Sequence, residues 1–472
     1  MTRLLFHVPY VSSLRNVLQT GFLDHLMDRN VALSLVGPSA PAEDRERFVA
    51  RWPGRVTFVP QEPLFPPDLG TRLRRRWRLI LHGLSLELLR RENVTFRRQA
   101  DRHSAAVRLL CRTRVVEPAL RRVYPRLDAL LLPSPHMMAL ARQARPDVIA
   151  AVGCLADAIE VDVFRVARAL HVPSVLVVHS WDNAAGRGAP PVPPDTWVVW
   201  GEEMAGHLRR YYGARPETIR IAGAVQLSIY GDEQLARCDR AALLKEIGLD
   251  PAREIVLYAP THMHLDYSDI PVLRLLLEYG RTRPEVQVWY RPHPHAREIP
   301  ETLAFAQANG IFVDPRYLEF FESGGYRRRE MPALDFYPHM LNAADVMVSN
   351  ASTISLEAAL VGRPIVIIGF DCPPDGTERP RLTLEENLQH PPLEPLLRQS
   401  AVTVVRRREE FFTGIDRARK IRERAPETLE ELRRCVNRIA LVSDGRVFER
   451  LANALIPTGR PGDVRPGAGR SG

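Results

Sequence analysis

The stretch Ala344–Phe370, ADVMVSNASTISLEAALVGRPIVIIGF, reads as strand, tight turn, helix and strand. The apolar run VMV ends in Ser349 and Asn350. Ser352 and Thr353 then open a helix that carries Glu357, and RPIVIIGF follows as a second strand. A polar turn between a buried strand and a helix N-terminus gathers hydroxyls and free backbone N–H groups at one spot, which suits a phosphate or diphosphate. A plain helix cap at Ser352 or Thr353 would use the same residues. Glu357 separates the two readings. It falls at the fifth or fourth helical position, not at the third position of a capping box, and a carboxylate there suits the vicinal hydroxyls of a ribose.

The same alternation extends in both directions. Toward the C-terminus, strands are expected at 363–370 and 401–405, with the last helices from about 407 to 456. Toward the N-terminus they are expected at 254–260, 286–292 and 310–315. A connector at roughly 225–252, containing QLSIYGDEQ, separates these from an earlier set at 3–9, 31–37, 55–60, 127–133, 146–153, 173–180, 195–201 and 218–224. Helices are expected at 13–28 and 42–52. Continuous apolar strands alternating with helices indicate parallel sheets covered on both faces. The expected fold is α/β, with two Rossmann-like, doubly wound domains facing a cleft. The expected boundaries are 1–230 for the first domain and 253–440 for the second, then a closing helix at 441–456 and a disordered tail at 457–472. A substrate is expected between the halves, beyond the strand C-termini.

The 472 residues carry a net charge of +9, and it is local. Between 72 and 126, sixteen arginines face four acids, so this segment carries +12 and the rest of the chain −3. Its pattern, LRRRWRLILHGLSLELLRR, suggests amphipathic helices. Three readings are open: a solvated helical face with extended arginines, an anionic membrane surface, or nucleic acid. No nucleic-acid motif supports the last. The five cysteines, at 111, 154, 238, 372 and 435, form no CxxC pair, which points to a reducing compartment. The N-terminus lacks the layout of a signal peptide, and no apolar run is long enough to span a bilayer.

Two further clusters sit at strand ends. In WYRPHPH (289–295), proline ends the strand and projects Arg291 and His293 toward the cleft as candidate phosphate contacts, and His295 and Arg297 are weaker candidates. In YAPTHMH (258–264), Thr261 and His262 are placed to reach a donor or an acceptor. In the first half, HSWDNAAGRG (179–188) follows an apolar strand. His179 or Asp182 there is the candidate general base, and local Asx turns with a packed Trp181 are the alternative. His7 and Asp157 are weaker candidates.

Taken together, YAPT at 258–261, RPHP at 291–294 and ADVMVSNAST at 344–353 resemble the donor domain of GT-B glycosyltransferases. More narrowly they resemble the CDP-glycerol glycerophosphotransferase and capsule-polysaccharide transferase branch. The branch's Asp-Tyr is Asn350-Ala351 here, and an arginine expected just after YAPT is missing, which shifts the expectation from a CDP-polyol to a nucleotide sugar. The segment 442–455 is similar to a closing helix that returns to the first domain.

The resemblance implies glycosyl transfer from a nucleotide-diphosphate sugar to a hydroxyl of a cell-surface glycan or lipid-linked acceptor. Thr261, His262, Arg291, His293, Ser349, Asn350, Ser352, Thr353 and Glu357 would hold the donor. No metal or other cofactor is expected, because no DxD motif stands at a strand end. The pair of glutamates often seen in retaining enzymes is absent, since Ser349 stands eight residues before Glu357, and this favours inversion. A CDP-polyol phosphotransferase, a nucleotide-sugar 2-epimerase and a non-catalytic membrane- or nucleic-acid-binding protein are the alternatives. The expected location is the cytoplasm, with residues 72–126 against the inner face of the membrane.

Overall fold

The computed structural model describes residues 1–39, 42–101, 120, 123–124, 126–127, 132–154, 158–231, 239–261, 268–294, 299–325, 331–371 and 383–456. Two parallel sheets organise them. The first has seven strands in the order β3-β2-β1-β4-β5-β6-β7. They are β1 (Thr2–His7), β2 (Val31–Gly37), β3 (Val56–Pro60), β4 (Val148–Gly153), β5 (Ser174–Val178), β6 (Thr196–Val199) and β7 (Ile219–Ile221). The second has five in the order β12-β11-β10-β8-β9. They are β8 (Glu254–Tyr258), β9 (Val286–Tyr290), β10 (Val346–Ser349), β11 (Ile365–Ile368) and β12 (Val402–Val405).

Every residue of β4, β10 and β11 is buried, as strands covered by helices on both faces require. The strand order reverses between β1 and β4 in one sheet and between β8 and β10 in the other. In open parallel sheets the crevice for a ligand lies outside the strand C-termini at such reversals. His7 and Gly153 end one pair of strands, and Tyr258 and Ser349 the other.

Three local expectations change. The helix over 13–28 forms as two, Val11–Gln19 and Phe22–Met27, because Gly21 between them takes a left-handed backbone at φ 83°. The run 310–315 makes only an isolated bridge from Phe312 to Trp289. Of 127–133, Leu127 is helical, Leu132 and Pro133 are in coil, and 128–131 lie outside the described residues. A short apolar run does not by itself distinguish a strand from a buried helical turn.

The arginine-rich segment begins as a helix, Leu69–Leu89, capped by Asp68, whose Oδ1 accepts from the Thr71 N–H at 2.6 Å. A second helix, Val94–Asp101, follows. Most of 102–126 lies outside the described residues. These arginines are not one solvated face. Arg78 is buried, and its charge acts on the buried Asp162. Arg98 pairs with Glu386 of the second half at 3.2 Å, and Thr95 Oγ1 hydrogen-bonds His390 Nδ1 at 2.6 Å. Among the described residues, no helix is long and apolar enough to cross a membrane.

The chain's last described helix, Val447–Leu455, packs on the first half. Leu451, Ala452 and Leu455 are buried in its core, and the Phe448 and Phe22 rings lie 6.0 Å apart. Arg450 Nε donates to the Ala222 carbonyl at 3.0 Å. The 457–472 tail lies outside the described residues.

A like-charge electrostatic interaction also spans the halves. Burial, reinforced by Glu394, pushes the Glu203 carboxyl up to about 7. An unfolded glutamate ionises near its ordinary value of about 4.3. The folded protein therefore holds this proton longer, and its stability falls as pH rises through that window. Glu203→Gln removes the penalty. Its melting temperature is expected to match the parent near pH 4 and to exceed it by a margin that grows toward pH 7 and then stays constant, as read by thermal melts across pH.

Candidate functional site

Strand β10 ends in Ser349, and the chain turns through Asn350 and Ala351 into the helix Thr353–Leu360. Ala351 takes the left-handed region at φ 60°, an uncommon conformation for a residue with a side chain. It aims the turn at the crevice and lets the helix start at once. Ser352 is the cap residue. Its N–H donates to Ser355 Oγ at 3.4 Å, and the Ser355 N–H donates to the Ser352 carbonyl at 2.9 Å. The capping role therefore falls on Ser352 and Ser355, and two other polar groups of the turn are left over. Ser349 Oγ and Asn350 Oδ1 are buried and have no hydrogen-bond partner among the described residues. Thr353, first in the helix, is partly exposed.

Arg291 follows β9 directly. Its backbone N–H donates to the Tyr258 carbonyl at 2.9 Å, which turns the residue inward at the strand end. The side chain is buried at 6% exposure, its guanidinium lies 5.3 Å from the centre of the Tyr337 ring, and among the described residues Nε and Nη1 have no hydrogen-bond partner. A guanidinium cannot shed its proton to escape burial, so leaving its donors unused is costly. A guanidinium in this setting can take an anion. His293 and Thr261 stand partly buried at the ends of their strands. His262, His295, Arg297 and Asp157 lie outside the described residues.

Glu357 lies on the helix behind the turn, half-buried, and accepts a hydrogen bond from the Tyr230 hydroxyl. Burial raises its carboxyl above the usual range, against the opposing pull of Tyr230, Arg291 and Arg15. Burial and Glu357 hold the Tyr230 phenol well above its ordinary value. The sequence reading placed Arg291 and Glu357 at one site, and the structure puts them within each other's field. It adds Tyr230 from the connector QLSIYGDEQ and Arg15 from the first helix. Arg15 Nη1 donates to the Pro332 carbonyl at 2.9 Å, and its guanidinium lies 5.6 Å from the Tyr337 ring. Sequence reading missed both because neither sits in a motif. Only the docking of the two halves brings them to Glu357.

On the opposite wall, His179 follows β5. Its Nδ1 hydrogen-bonds Ser13 Oγ at 2.8 Å, and its N–H donates to the Gly153 carbonyl at 2.8 Å. Burial lowers the imidazole to about 4, against the pull of Asp182, so it is neutral at pH 7. In the loop that follows, Trp181 is buried and the Ser180 N–H donates to Asn183 Oδ1 at 3.0 Å, a bond that runs three residues back rather than the forward Asx turn that was the alternative. Asp182 is half-buried and acts electrostatically on both His179 and His390. His390 comes from the second half and rests against Gly186, where an added Cβ would lie 3.3 Å from its Cε1. The glycine-rich loop thus receives a histidine that the sequence did not single out. The same segment reaches the turn after β10, where Asn387 Nδ2 donates to the Asn350 carbonyl at 3.3 Å. His7, at the end of β1, is fully buried, and its Nε2 is bonded to Gln61 Oε1 at 3.2 Å.

The geometry can be set beside known proteins. No family model matches the chain. A solved structure of a putative UDP-N-acetylglucosamine 2-epimerase from Listeria monocytogenes superposes with a TM-score of 0.55 at 11% identity, covering 96% of this chain and 95% of that one. A UDP complex of MnaA from S. aureus gives 0.54 at 9% identity, with the same coverage. UDP-GlcNAc 2-epimerase from Neisseria meningitidis bound to UDP-GlcNAc gives 0.54 at 10%, covering 96% and 99%. The fold is GT-B. Among curated proteins, lipid-A-disaccharide synthase of Syntrophotalea carbinolica is 26% identical over 139 residues. That match covers 29% of this chain and spans only about a third, 31%, of the relative's length.

Proposed function

We propose that the protein transfers a sugar from a nucleotide-diphosphate donor to a hydroxyl of a glycan or lipid-linked acceptor, with inversion and without a metal. The observation that carries this reading is the set of buried, unsatisfied polar atoms at the strand ends: Arg291 Nε and Nη1, Ser349 Oγ and Asn350 Oδ1. Arg291 Nε and Nη1 and the Ser349 hydroxyl donate, and with the N-terminus of the helix Thr353–Leu360 they make a preorganised cradle for a diphosphate and for the negative charge that grows on it as it leaves, while Asn350 Oδ1 accepts from a hydroxyl of the donor. Ser352, Thr353, Thr261, His262 and His293 complete the donor side, and Glu357 accepts from the ribose. The acceptor oxygen attacks the anomeric carbon as the bond from that carbon to the phosphate oxygen breaks. The electron pair leaves on the diphosphate, and the acceptor's proton passes to a base. With His179 held neutral and weakly basic by burial, Asp182 is the base in this reading and His179 orients the acceptor hydroxyl.

Nucleotide-sugar 2-epimerisation is the competing reading, favoured by the names of the solved structures with this fold. Product analysis separates the two, because an epimerase converts the donor with no acceptor present. The first experiment is a thermal-shift panel of UDP-, GDP-, CDP- and CMP-sugars with CDP-glycerol. One donor is expected to raise the melting temperature, since it binds the native state alone. A response to CDP-glycerol only would assign a polyol phosphate instead, and silence throughout would overturn the catalytic reading. Against the responding donor, Glu357→Ala is expected to bind about 30-fold more weakly, the worth of a hydrogen-bonded charged acceptor at about 2 kcal/mol.

A further inference from the structure

We infer that the first three turns of the helix Leu69–Leu89 form a docking face for an anionic lipid bilayer. Among the described residues, the exposed large hydrophobics are Met1 and six others, and all six lie between 69 and 132. Four of them, Leu69, Leu73, Leu79 and Ile80, belong to this helix and are 41–69% exposed. At 100° per residue they fall on one face together with Arg72 and Arg76, within roughly 120° of arc. The opposite face, with Thr71, Arg78, Leu81 and Ser85, is buried against the protein.

The face mixes leucine and arginine and holds no acid, since the sequence has none from 69 to 86. Among the described residues, no carboxylate pairs with Arg72, Arg75 or Arg76, whereas Arg90, farther along, is paired with Glu87 and Asp101. This composition selects the occupant. A second copy docking face to face would bring like charges together. Nucleic acid would leave four exposed aliphatic side chains unsatisfied. An anionic bilayer matches both features: the leucines enter the acyl boundary, and the arginine stems lie along it with their guanidinium groups at the phosphates. About 18 Å of helix is available for this contact, at 1.5 Å per residue. The inference stands apart from the reading of the cleft, and its test measures no catalysis.

The test sediments the purified full-length protein with extruded vesicles of phosphatidylcholine, alone or mixed with phosphatidylglycerol. The protein is expected in the pellet only with the mixed vesicles, and less of it as salt rises. Arg72→Gln/Arg76→Gln is expected to partition about 30-fold more weakly, at the usual contribution of each arginine near a charged surface. Leu73→Ser/Leu79→Ser is expected to lose at least tenfold at low salt, with every arginine still present. Both variants must keep the parent's melting temperature, which their exposure allows, and Arg406→Gln/Arg408→Gln on the second half should pellet as the parent does. Equal pelleting with neutral vesicles overturns the inference. So does parental pelleting by the leucine variant, and so does a leucine-dependent dimer or RNA complex without vesicle binding.

Discussion

Replacing Arg291 by methionine is expected to abolish the donor-induced thermal shift while leaving the melting temperature of the unliganded protein no lower than the parent's. The two halves of this result have different causes. A charged group that meets a diphosphate in a buried site is worth about 3 kcal/mol, so donor affinity should fall about 100-fold, and turnover at limiting donor with it. In the unliganded protein the same guanidinium is a liability: it is 6% exposed, and two of its nitrogens lack partners. An apolar side chain of similar length removes those unsatisfied donors and keeps contact with Tyr337, giving up the guanidinium's pull on Glu357. A variant that melts much lower and still binds donor would make Arg291 a structural residue. A variant that keeps its stability and loses the donor would make it part of the site. Arg291→Lys should recover only part of the affinity, because a point charge does not reproduce the planar fork.

Gly223→Ala is expected to destabilise the protein by about 4 kcal/mol, the sum of backbone strain and overpacking. Gly223 has φ 95°, and a Cβ there would lie 2.5 Å from the Leu441 carbonyl oxygen and 3.1 Å from that of Ala440. Both oxygens are backbone atoms, so neither can rotate away. The next residue donates its N–H to the Ala440 carbonyl at 2.8 Å, and Arg450 holds the Ala222 carbonyl. The clash therefore acts on the seam where the chain's last helices return to the first half. Denaturant melts should show a lower midpoint, and hydrogen exchange should show lost protection across Val447–Leu455. Gly213→Ala is the comparison. It has φ 64° and nothing within 4 Å of an added Cβ, so only the backbone term of about 1 kcal/mol is expected.

The two effects depend on contacts of different range, and the same difference decides what could be read from residues alone. Strand β10 and the helix after it were legible because local rules suffice: a buried parallel strand is continuously apolar, and the turn into its helix is polar. The same holds for eleven other strands, whose apolar cores match the described ones within a few residues. The exceptions are also physical. Gly21 divides a helix through its backbone conformation, which periodicity does not register. At 310–315 the apolar run finds a partner for one residue only.

The sequence by itself determined the α/β class, the two sets of strands, and the polar turn between β10 and its helix, since each follows from patterns within one strand–turn–helix unit. The tertiary structure alone decided which residues face them. Tyr230 meets Glu357 from 127 positions away. Arg15 reaches Pro332 across 317, and Thr95 reaches His390 across 295. It also divided the arginines of the basic segment into buried, interdomain and exposed groups. Arg78, Arg98 and Arg76 are alike in composition, and only the packing of their helices against the two halves gives them different roles.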